Sequence, residues 1–293
     1  MRKLSIALAC LSHTIVDGSQ NILPVVLPLL VDRLHLSYGK VGMAAALLNV
    51  SSSVIQPGFG WISDRCPTRW FMPVGIAWTG LFMSVVGLVP SYPMLLLVLV
   101  LAGLGTAAFH PIASIAVAHA SGNRRGFGMS FFSTGGNLGF AIGPVMAAWL
   151  MTWLGLPGTL LVILPSLLMA AAMHVWRGEF ASPTRADGTG EHQARGPIPW
   201  GLLSRLCAII TLRSWAYSGL VVFIPLLLHE RGVSLLLAGR ALFVFLFFGA
   251  LGGMLGGYLS DRIGRQQVIV VSLVGFPLFL VSSLHPRPMR GPD

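Results

Sequence analysis

Charged residues are scarce in this chain. They make up 10% of its 293 residues, and only nine are aspartate or glutamate, whereas soluble domains carry about 25% charged residues. Hydrophobic residues make up 55% of the sequence, and the mean hydropathy is +0.79. A soluble globular domain is therefore excluded, and we expect an all-α, polytopic membrane protein whose helices face lipid or one another.

Cysteines and catalytic motifs are scarce as well. The three cysteines, Cys10, Cys66 and Cys207, are scattered and offer neither a disulfide framework nor a metal-binding spacing. Nucleophile elbows, zinc-binding spacings and phosphate-cradling loops are missing from the sequence. His13 and Asp17 form one His-x-x-x-Asp pair, which is too common by itself to indicate an acyltransferase. We therefore expect no enzyme activity, no cofactor and no bound metal.

The basic residues exceed the acidic ones and give a net charge of +10. They are dispersed over short loops and form no basic patch, so nucleic-acid binding is excluded. With the N-terminus inside, twelve of them fall in cytoplasmic segments and six in outer segments. This asymmetry predicts a cytoplasmic N-terminus, and the remaining charge favours attraction to anionic headgroups of the lipid bilayer.

Hydropathy predicts nine membrane spans of about 20 residues each. The first is long, and Pro24 and Pro28 should kink it. A polar stretch rich in glycine, proline and serine follows the sixth span and has the composition of a flexible linker. The predicted spans are 4–31, 41–62, 71–90, 94–119, 128–152, 158–176, 204–228, 241–259 and 268–284.

One motif occurs twice, 197 residues apart. The segment 60–65 reads Gly-Trp-Ile-Ser-Asp-Arg, and the segment 257–262 reads Gly-Tyr-Leu-Ser-Asp-Arg. The register also holds upstream, where Pro-Leu-Leu at 28–30 aligns with Pro-Leu-Leu at 225–227. Two copies of one structural unit in so apolar a chain are typical of a membrane transporter built from repeated halves.

The repeated motif resembles the cytoplasmic loop signature of the major facilitator superfamily. The second copy continues as an intact Asp-Arg-x-Gly-Arg at 261–265, whereas residues 66–69 depart from that pattern in the first. A narrower resemblance, to the bacterial fosmidomycin resistance branch, is carried by Ala-Phe-His-Pro at 108–111, Ser-Gly-Asn-Arg-Arg-Gly at 121–126 and Gly-Gly-Asn-Leu-Gly-Phe at 135–140.

The resemblance implies two pseudo-symmetric six-helix halves joined by a cytoplasmic linker. We expect an N-terminal half at 1–176, the linker at 177–203, the first three helices of the C-terminal half at 204–284 and a polar tail at 285–293. The family has twelve spans, so nine indicate an incomplete second half, either a truncated chain or one that needs helices from another chain.

The function that the resemblance implies is secondary transport in the bacterial inner membrane. We expect proton-coupled efflux of a small compound by alternating access. Anionic, fosmidomycin-like compounds are the substrate class that the resemblance implies, and sugars, organic acids and hydrophobic drugs are the alternatives. Drug resistance would follow from such export. The alternative is a transport-incompetent membrane protein with at most a scaffolding role.

Asp17 is the candidate that carries the coupling hypothesis, because a carboxylate at membrane depth must face a cavity, find a partner or take up a proton. His13, Asp17, Gln20 and Asn21 recur at helical spacing and form one polar stripe. We expect Asp17 and His13 to couple protons and Gln20 and Asn21 to bind substrate. A structural hydrogen-bonding role near a helix end is the alternative.

Two further polar residues interrupt apolar spans. His110, before Pro111, could take up a proton or bind substrate, or it could be a core histidine bonded to a backbone carbonyl. Arg213 aligns through the repeat with Val16, next to Asp17. Its guanidinium could neutralise Asp17 or grip an anionic substrate, or it could extend to the membrane surface.

The loop motifs and the fifth span complete the candidate sites. In the family the loops act as a conformational latch, although topology control by basic residues alone is the other interpretation. The fifth span resembles the antiporter signature, although the same small residues also make a packing face. The latch candidates are Gly60, Asp64, Arg65, Arg69, Gly257, Asp261, Arg262 and Arg265, and the antiporter candidates are Gly139, Gly143 and Pro144.

Overall fold

The computed structural model describes residues 2–63, 65, 70–180 and 200–284, and the regular structure within those residues is entirely helical. The predicted all-α fold class is therefore confirmed. Short 3-10 turns at Val86–Leu88 and Leu156–Val162 extend two of the helices. The α-helices are α1 (Lys3–Gln20), α2 (Leu23–Leu34), α3 (Tyr38–Ser53), α4 (Gln56–Ser63), α5 (Phe71–Val85), α6 (Tyr92–Ser121), α7 (Arg125–Leu154), α8 (Ile163–Val175), α9 (Trp200–Glu230), α10 (Leu235–Ile263) and α11 (Arg265–Leu284).

Six helical stretches in the described part of the chain are long and apolar enough to cross a membrane. The longest, Tyr92–Leu154, covers 63 residues and contains two of the predicted spans, in α6 and α7. The predicted span 41–62 is divided between α3 and α4, of 16 and 8 residues. These stretches define a multi-pass membrane protein, and the count of nine spans stays a prediction.

Two of the helix breaks follow from proline. A proline ring clashes with the carbonyl four residues earlier and cannot donate the corresponding hydrogen bond. Pro24 therefore ends α1 at Gln20, and α2 begins at Leu23. In the same way Pro57 in α4 lies four residues after Ser53, where α3 ends. The expected kink in the first span is thus a break immediately before Pro24, whereas Pro28 lies inside α2.

The core of the first half lies between α1, α5, α6, α7 and α8. Phe109 of α6 and Phe132 of α7 are almost fully buried there, together with Val16 of α1. Ala9 of α1, Phe180 and further methionine, alanine, isoleucine and valine side chains of α5, α6 and α8 complete this cluster. The apolar cluster therefore packs directly against the part of α1 that carries Asp17.

The chain divides into two compact units between Leu246 and Phe247. In the second unit, Gly264 has a φ of +98° at the turn between α10 and α11, a backbone conformation that favours glycine. The guanidinium carbon of Arg262 lies 4.5 Å from the centre of the Tyr258 ring. Gly257 and Asp261 belong to α10, and Arg265 is the first residue of α11.

The first loop motif is only partly described. Arg65 donates a hydrogen bond to the Trp61 carbonyl at 3.1 Å, and its guanidinium carbon lies 3.8 Å from the centre of the Trp61 ring. Gly60 belongs to α4. Asp64 and Arg69 lie outside the described residues, as do residues 181–199 of the predicted linker and the predicted tail 285–293. The latch interpretation of both motifs therefore stays a prediction.

Candidate functional site

Small residues on α7 allow an unusually close approach of α1. Gly135, Gly139 and Gly143 each lie so close to the α1 backbone that a Cβ atom would collide with a carbonyl oxygen of α1. Gly136 faces the side chains instead, because a Cβ there would lie 2.6 Å from Nε2 of His13 and 2.8 Å from Oδ2 of Asp17. Two of the antiporter candidates, Gly139 and Gly143, thus make the small-residue helix contact that the sequence left as the alternative.

Side chains of α1 and of the residue after it also bond to α7. Pro144 has no N–H to give to the Phe140 carbonyl, four residues earlier, so that carbonyl lacks a helical partner. The Asn21 amide nitrogen donates to it at 2.6 Å. Three further bonds to α7 carbonyls run from Cys10 to Phe131 (3.3 Å), from His13 to Phe132 (2.8 Å) and from Thr14 to Gly135 (2.9 Å).

Two histidines face the carboxylate of Asp17. Nε2 of His13 lies 3.1 Å from Oδ2, and Nε2 of His110 lies 3.3 Å from Oδ1. The His110 contact is poorly aligned, so Oδ1 accepts no well-formed hydrogen bond from any residue that the structure describes. The side chains of His13, Asp17 and His110 are 12%, 7% and 21% exposed. The structure thus brings together the three residues that the sequence put forward for proton coupling.

The hydrogen bond from His13 to α7 determines which imidazole nitrogen of His13 carries a hydrogen, and therefore whether the contact with Asp17 needs an additional proton. A carbonyl oxygen only accepts, so Nδ1 of His13 must carry a hydrogen to bond Phe132. A neutral His13 would then point the lone pair of Nε2 at the carboxylate oxygen. The 3.1 Å contact becomes favourable only when a proton lies between the two atoms, on either the imidazole or the carboxyl group.

Aromatic rings hold His13 in this orientation. Its imidazole stacks on Phe132 with 4.1 Å between ring centroids and meets His110 edge-on at 5.0 Å. Two imidazoles and a carboxylate are also ligand types that divalent transition metals accept, and the three ligand atoms lie within 4.8 Å of one another. A chelator control therefore belongs in any test of proton binding here.

A second group of polar side chains lines a small cavity between the first half and α9. Gln20 and Asn21 contribute from the break between α1 and α2, Asn49 from α3, and Tyr217 and Ser218 from α9. The cavity has a volume of about 60 Å³, enough for a few water molecules. Gln20 and Asn21 lie 197 residues before Tyr217 and Ser218, so repeat-equivalent residues face one another across it.

A further contact joins the two halves at the C-terminal ends of α2 and α9. Nε2 of His229 lies 2.8 Å from Oδ2 of Asp32, and these two positions are also 197 residues apart. The Tyr38 hydroxyl donates to the Glu230 carboxylate beside them, and this bond raises the pKa of Tyr38. This contact joins the C-terminal ends of α2 and α9.

Arg213 is not part of either group in the described structure. Its side chain is exposed on α9, one helical turn before Tyr217, and it does not line the cavity. Sequence reasoning named Gln20 and Asn21 but missed Tyr217 and Ser218. It also missed the Asp32–His229 pair. The repeat register that aligned Arg213 with Val16 also aligns all of these partners, and it could have found them.

Comparison with known proteins identifies the family. The model of the Major Facilitator Superfamily matches residues 9–289. The chain therefore belongs to the Major Facilitator Superfamily, and it is a transporter-family protein rather than an enzyme.

Two relatives match nearly the whole chain and about the same share of their own length. The fosmidomycin resistance protein of Escherichia coli K12 is 30% identical over 285 residues, which are 94% of this chain and 70% of that protein. The uncharacterized MFS-type transporter YfnC of Bacillus subtilis 168 is 33% identical over 294 residues, with 96% and 70% coverage. The chain thus spans about 70% of the length of both relatives.

Solved structures confirm the fold. A bacterial homolog of the human lysosomal transporter Spinster, in its inward-facing and occupied conformation, superposes with a TM-score of 0.77 at 19% identity. That alignment covers 98% of this chain and 68% of the homolog. The inward-facing, unoccupied form gives a TM-score of 0.70 at 18% identity, over 90% of this chain and 64% of the homolog.

Proposed function

We propose that the chain carries out proton-coupled export of a small compound across the bacterial inner membrane, with its N-terminus in the cytoplasm. The observation that supports this proposal is the His13–Asp17 contact. The two groups need one proton between them, and a buried carboxylate that loses this proton would be left at membrane depth at a cost of roughly 2.5–3.5 kcal/mol or more. Loading and release of that proton are therefore coupled to a change of conformation.

His110 is the third residue of the proposed proton site. It is the most exposed of the three side chains and lies beside the oxygen of Asp17 that accepts no aligned hydrogen bond. We assign it the exchange of protons between water and Asp17. His13 then keeps the proton on the carboxylate during the conformational change. Rocking of the two repeated halves would present this site to each side of the membrane in turn.

The test is proton movement in proteoliposomes that contain the full chain and an internal pH dye. Fosmidomycin serves as an anionic probe. Resorcinol, a small dihydroxybenzene, serves in parallel as a neutral probe. We expect compound-driven proton flux with the unaltered chain, loss of at least 90% of it in Asp17→Asn, and substantial retention in Asp17→Glu. Exchange of labelled compound without a gradient should persist in Asp17→Asn, because only the coupling is lost.

His119→Gln is the matched control for His110→Gln. Both histidines belong to α6, but His119 is exposed and forms no ion pair with Asp17 in the described part of the chain. His110→Gln should slow proton flux while His119→Gln leaves it unchanged. A chelator should have no effect if the cluster holds a proton rather than a metal ion. Proton flux that survives Asp17→Asn would contradict the proposed coupling.

One relative and one cationic side chain bear on the substrate of the proposed transport. The name of the Escherichia coli relative favours fosmidomycin as a probe, and Arg213 is a cation within a predicted span. Arg213 is exposed, however, and lies outside the cavity lining. We propose export as the direction on the strength of that relative. The two loop motifs would act as the conformational latch, and Gly139, Gly143 and Pro144 would form the antiporter-like helix that favours export over import.

A further inference from the structure

We propose that His13, Asp17 and His110 form a binding site for one divalent transition-metal ion of the zinc class. The proposal is carried by donor atoms that converge from two helices and by a buried carboxylate oxygen. The sequence spacing did not indicate this site, because the third ligand comes from α6 rather than from α1. Binding of the ion is independent of the proposed transport, whereas its effect on transport rests on that function.

The three side chains hold their donor atoms close to the spacing that a metal ion requires. Zinc binds histidine nitrogen and carboxylate oxygen at about 2.0–2.2 Å, so two ligand atoms of a tetrahedral site lie roughly 3.3–3.6 Å apart. The two imidazole nitrogens lie 3.1 Å and 3.3 Å from the nearer oxygens of Asp17. The three ligand atoms all lie within 4.8 Å of one another. The widest pair must therefore close by roughly 1.5 Å at most, which a rotation of the more exposed His110 can supply.

His13 is oriented as a metal-binding histidine is. Its Nδ1–H donates to the Phe132 carbonyl at 2.8 Å, which leaves the lone pair of Nε2 directed at Asp17. Metal-bound histidines commonly donate their other N–H to a backbone carbonyl, because this bond fixes the tautomer and the ring orientation. Stacking on the Phe132 ring, with 4.1 Å between centroids, holds the imidazole in place. A cation beside Nε2 would therefore meet a lone pair that is already oriented.

Asp17 supplies the negative charge of the site. The residue is 5% exposed, and its Oδ1 accepts no hydrogen bond from the residues that the structure describes. A buried charge of this kind needs a compensating partner, which a bound cation would provide. A Cβ atom at Gly136 would lie 2.6 Å from Nε2 of His13 and 2.8 Å from Oδ2 of Asp17. The glycine therefore keeps space open beside two of the donor atoms.

The donor set determines the class of ion. Imidazole nitrogen suits Zn²⁺, Co²⁺ and Ni²⁺, whereas Mg²⁺ and Ca²⁺ prefer oxygen ligands. Two imidazoles and one carboxylate also match zinc sites that keep a fourth position for water. The ion would take the place of the proton between His13 and Asp17. It should therefore inhibit the proposed proton coupling, rather than serve as a cofactor for it.

Metal binding can be measured on the full chain in lipid nanodiscs, without a histidine tag and without a gradient. Displacement of Zn²⁺ from a chromophoric chelator should report one ion per chain at micromolar free zinc, and Mg²⁺ should not compete. Co²⁺ should give the visible absorption of a tetrahedral site with nitrogen and oxygen ligands. The near-ultraviolet band of cobalt–thiolate bonds should be missing, which would exclude the three cysteines as ligands.

Substitutions of His110 test the site itself. His110→Gln should weaken zinc binding at least tenfold. His110→Cys should retain binding and add the thiolate band to the Co²⁺ spectrum, because a cysteine thiolate also binds these ions. His119→Gln is the matched control, since His119 is exposed on the same helix. Lack of stoichiometric zinc binding, equal loss in the two glutamine variants, or a His110→Cys spectrum without the thiolate band would each overturn the proposal.

The flux assay separates this proposal from the proposed function. Zn²⁺ should inhibit compound-driven proton flux through the unaltered chain and should do so much less in His110→Gln. Stoichiometric zinc binding without inhibition would support the metal site and contradict proton coupling at Asp17. Proton flux that depends on Asp17 in a chain without zinc binding would overturn the metal site and leave the coupling in place.

Discussion

Gly136 shows how a missing side chain can make a site possible. Its Cα faces His13 and Asp17 so closely that even a methyl group would displace their side chains. Gly136→Ala should therefore destabilise the protein by roughly 1–3 kcal/mol through overpacking. It should also abolish proton flux, because His13 and Asp17 could no longer approach each other. Unfolding in a detergent titration and flux in proteoliposomes measure the two effects.

The control for Gly136 lies on the same helix. Gly126 is also in α7, but a Cβ built there meets nothing within 4 Å. Gly126→Ala should leave flux unchanged and stabilise the protein by about 0.4–1 kcal/mol, since alanine restricts the unfolded chain more than glycine does. Equal effects of the two substitutions would mean that packing at Gly136 is not what holds the cluster together.

At the scale of the helix, Pro144 and Asn21 form a compensating pair. The proline removes one backbone hydrogen bond from α7, and Asn21 replaces it from the break between α1 and α2. Pro144→Ala would return an N–H to the Phe140 carbonyl, so the side chain of Asn21 would no longer be needed there. We expect Asn21→Ala to destabilise the unaltered chain by about 0.6–1.7 kcal/mol and the Pro144→Ala variant by much less.

A double-mutant cycle on Asn21 and Pro144 measures this pair directly. The coupling energy should be about 0.5–1.5 kcal/mol, because the two residues act through one carbonyl group. Gln56→Ala offers a comparison, since it removes a side-chain bond to a helix carbonyl far from Pro144. Additive effects of Asn21→Ala and Pro144→Ala would contradict the pairing.

Much of the helical arrangement could be predicted, and proline shows where prediction stopped. Pro24 and Pro57 each lie four residues after the last residue of a helix, and each breaks the predicted span at that last residue. Pro111 and Pro144 lie inside unbroken helices. The local rule is the same in all four cases, so the outcome depends on whether a neighbouring helix supplies partners for the freed groups. That tertiary information is not readable from one sequence.

The residues of the candidate sites could also be predicted only in part. Helical spacing was enough to place His13, Asp17, Gln20 and Asn21 on one stripe, but it could not divide them between two sites. The structure puts His13 and Asp17 against α7 and His110, and it puts Gln20 and Asn21 beside α9. The division arises at the helix break before Pro24, which turns the end of the stripe toward the second repeat.

The repeat is what organises the whole molecule. Asp32 and Arg33 in the first copy correspond to His229 and Glu230 in the second, 197 residues later. Acidic and basic residues have changed places between the copies. When equivalent helix ends meet, Asp32 therefore faces His229 rather than another carboxylate. Arg33 instead donates to the Gly87 carbonyl at 2.8 Å and the Val89 carbonyl at 2.9 Å within the first half.

The Asp32–His229 contact should favour the conformation in which the ends of α2 and α9 meet. Asp32 is 63% exposed, so the pair is worth only about 0.2–1 kcal/mol. This corresponds to at most about a fivefold change in the population in which these helix ends separate. Asp32→Asn should therefore speed maleimide labelling of a Ser218→Cys reporter, in a background without the native cysteines, by up to about fivefold.

The second partner distinguishes this mechanism from a general loosening of the helices. In a His229→Gln background Asp32→Asn should have no effect on the labelling rate, because its partner is already gone. His229→Gln alone should speed labelling about as much as Asp32→Asn does, since both substitutions remove the same contact. An undiminished effect of Asp32→Asn in the His229→Gln background would show that Asp32 acts through packing rather than through its contact with His229.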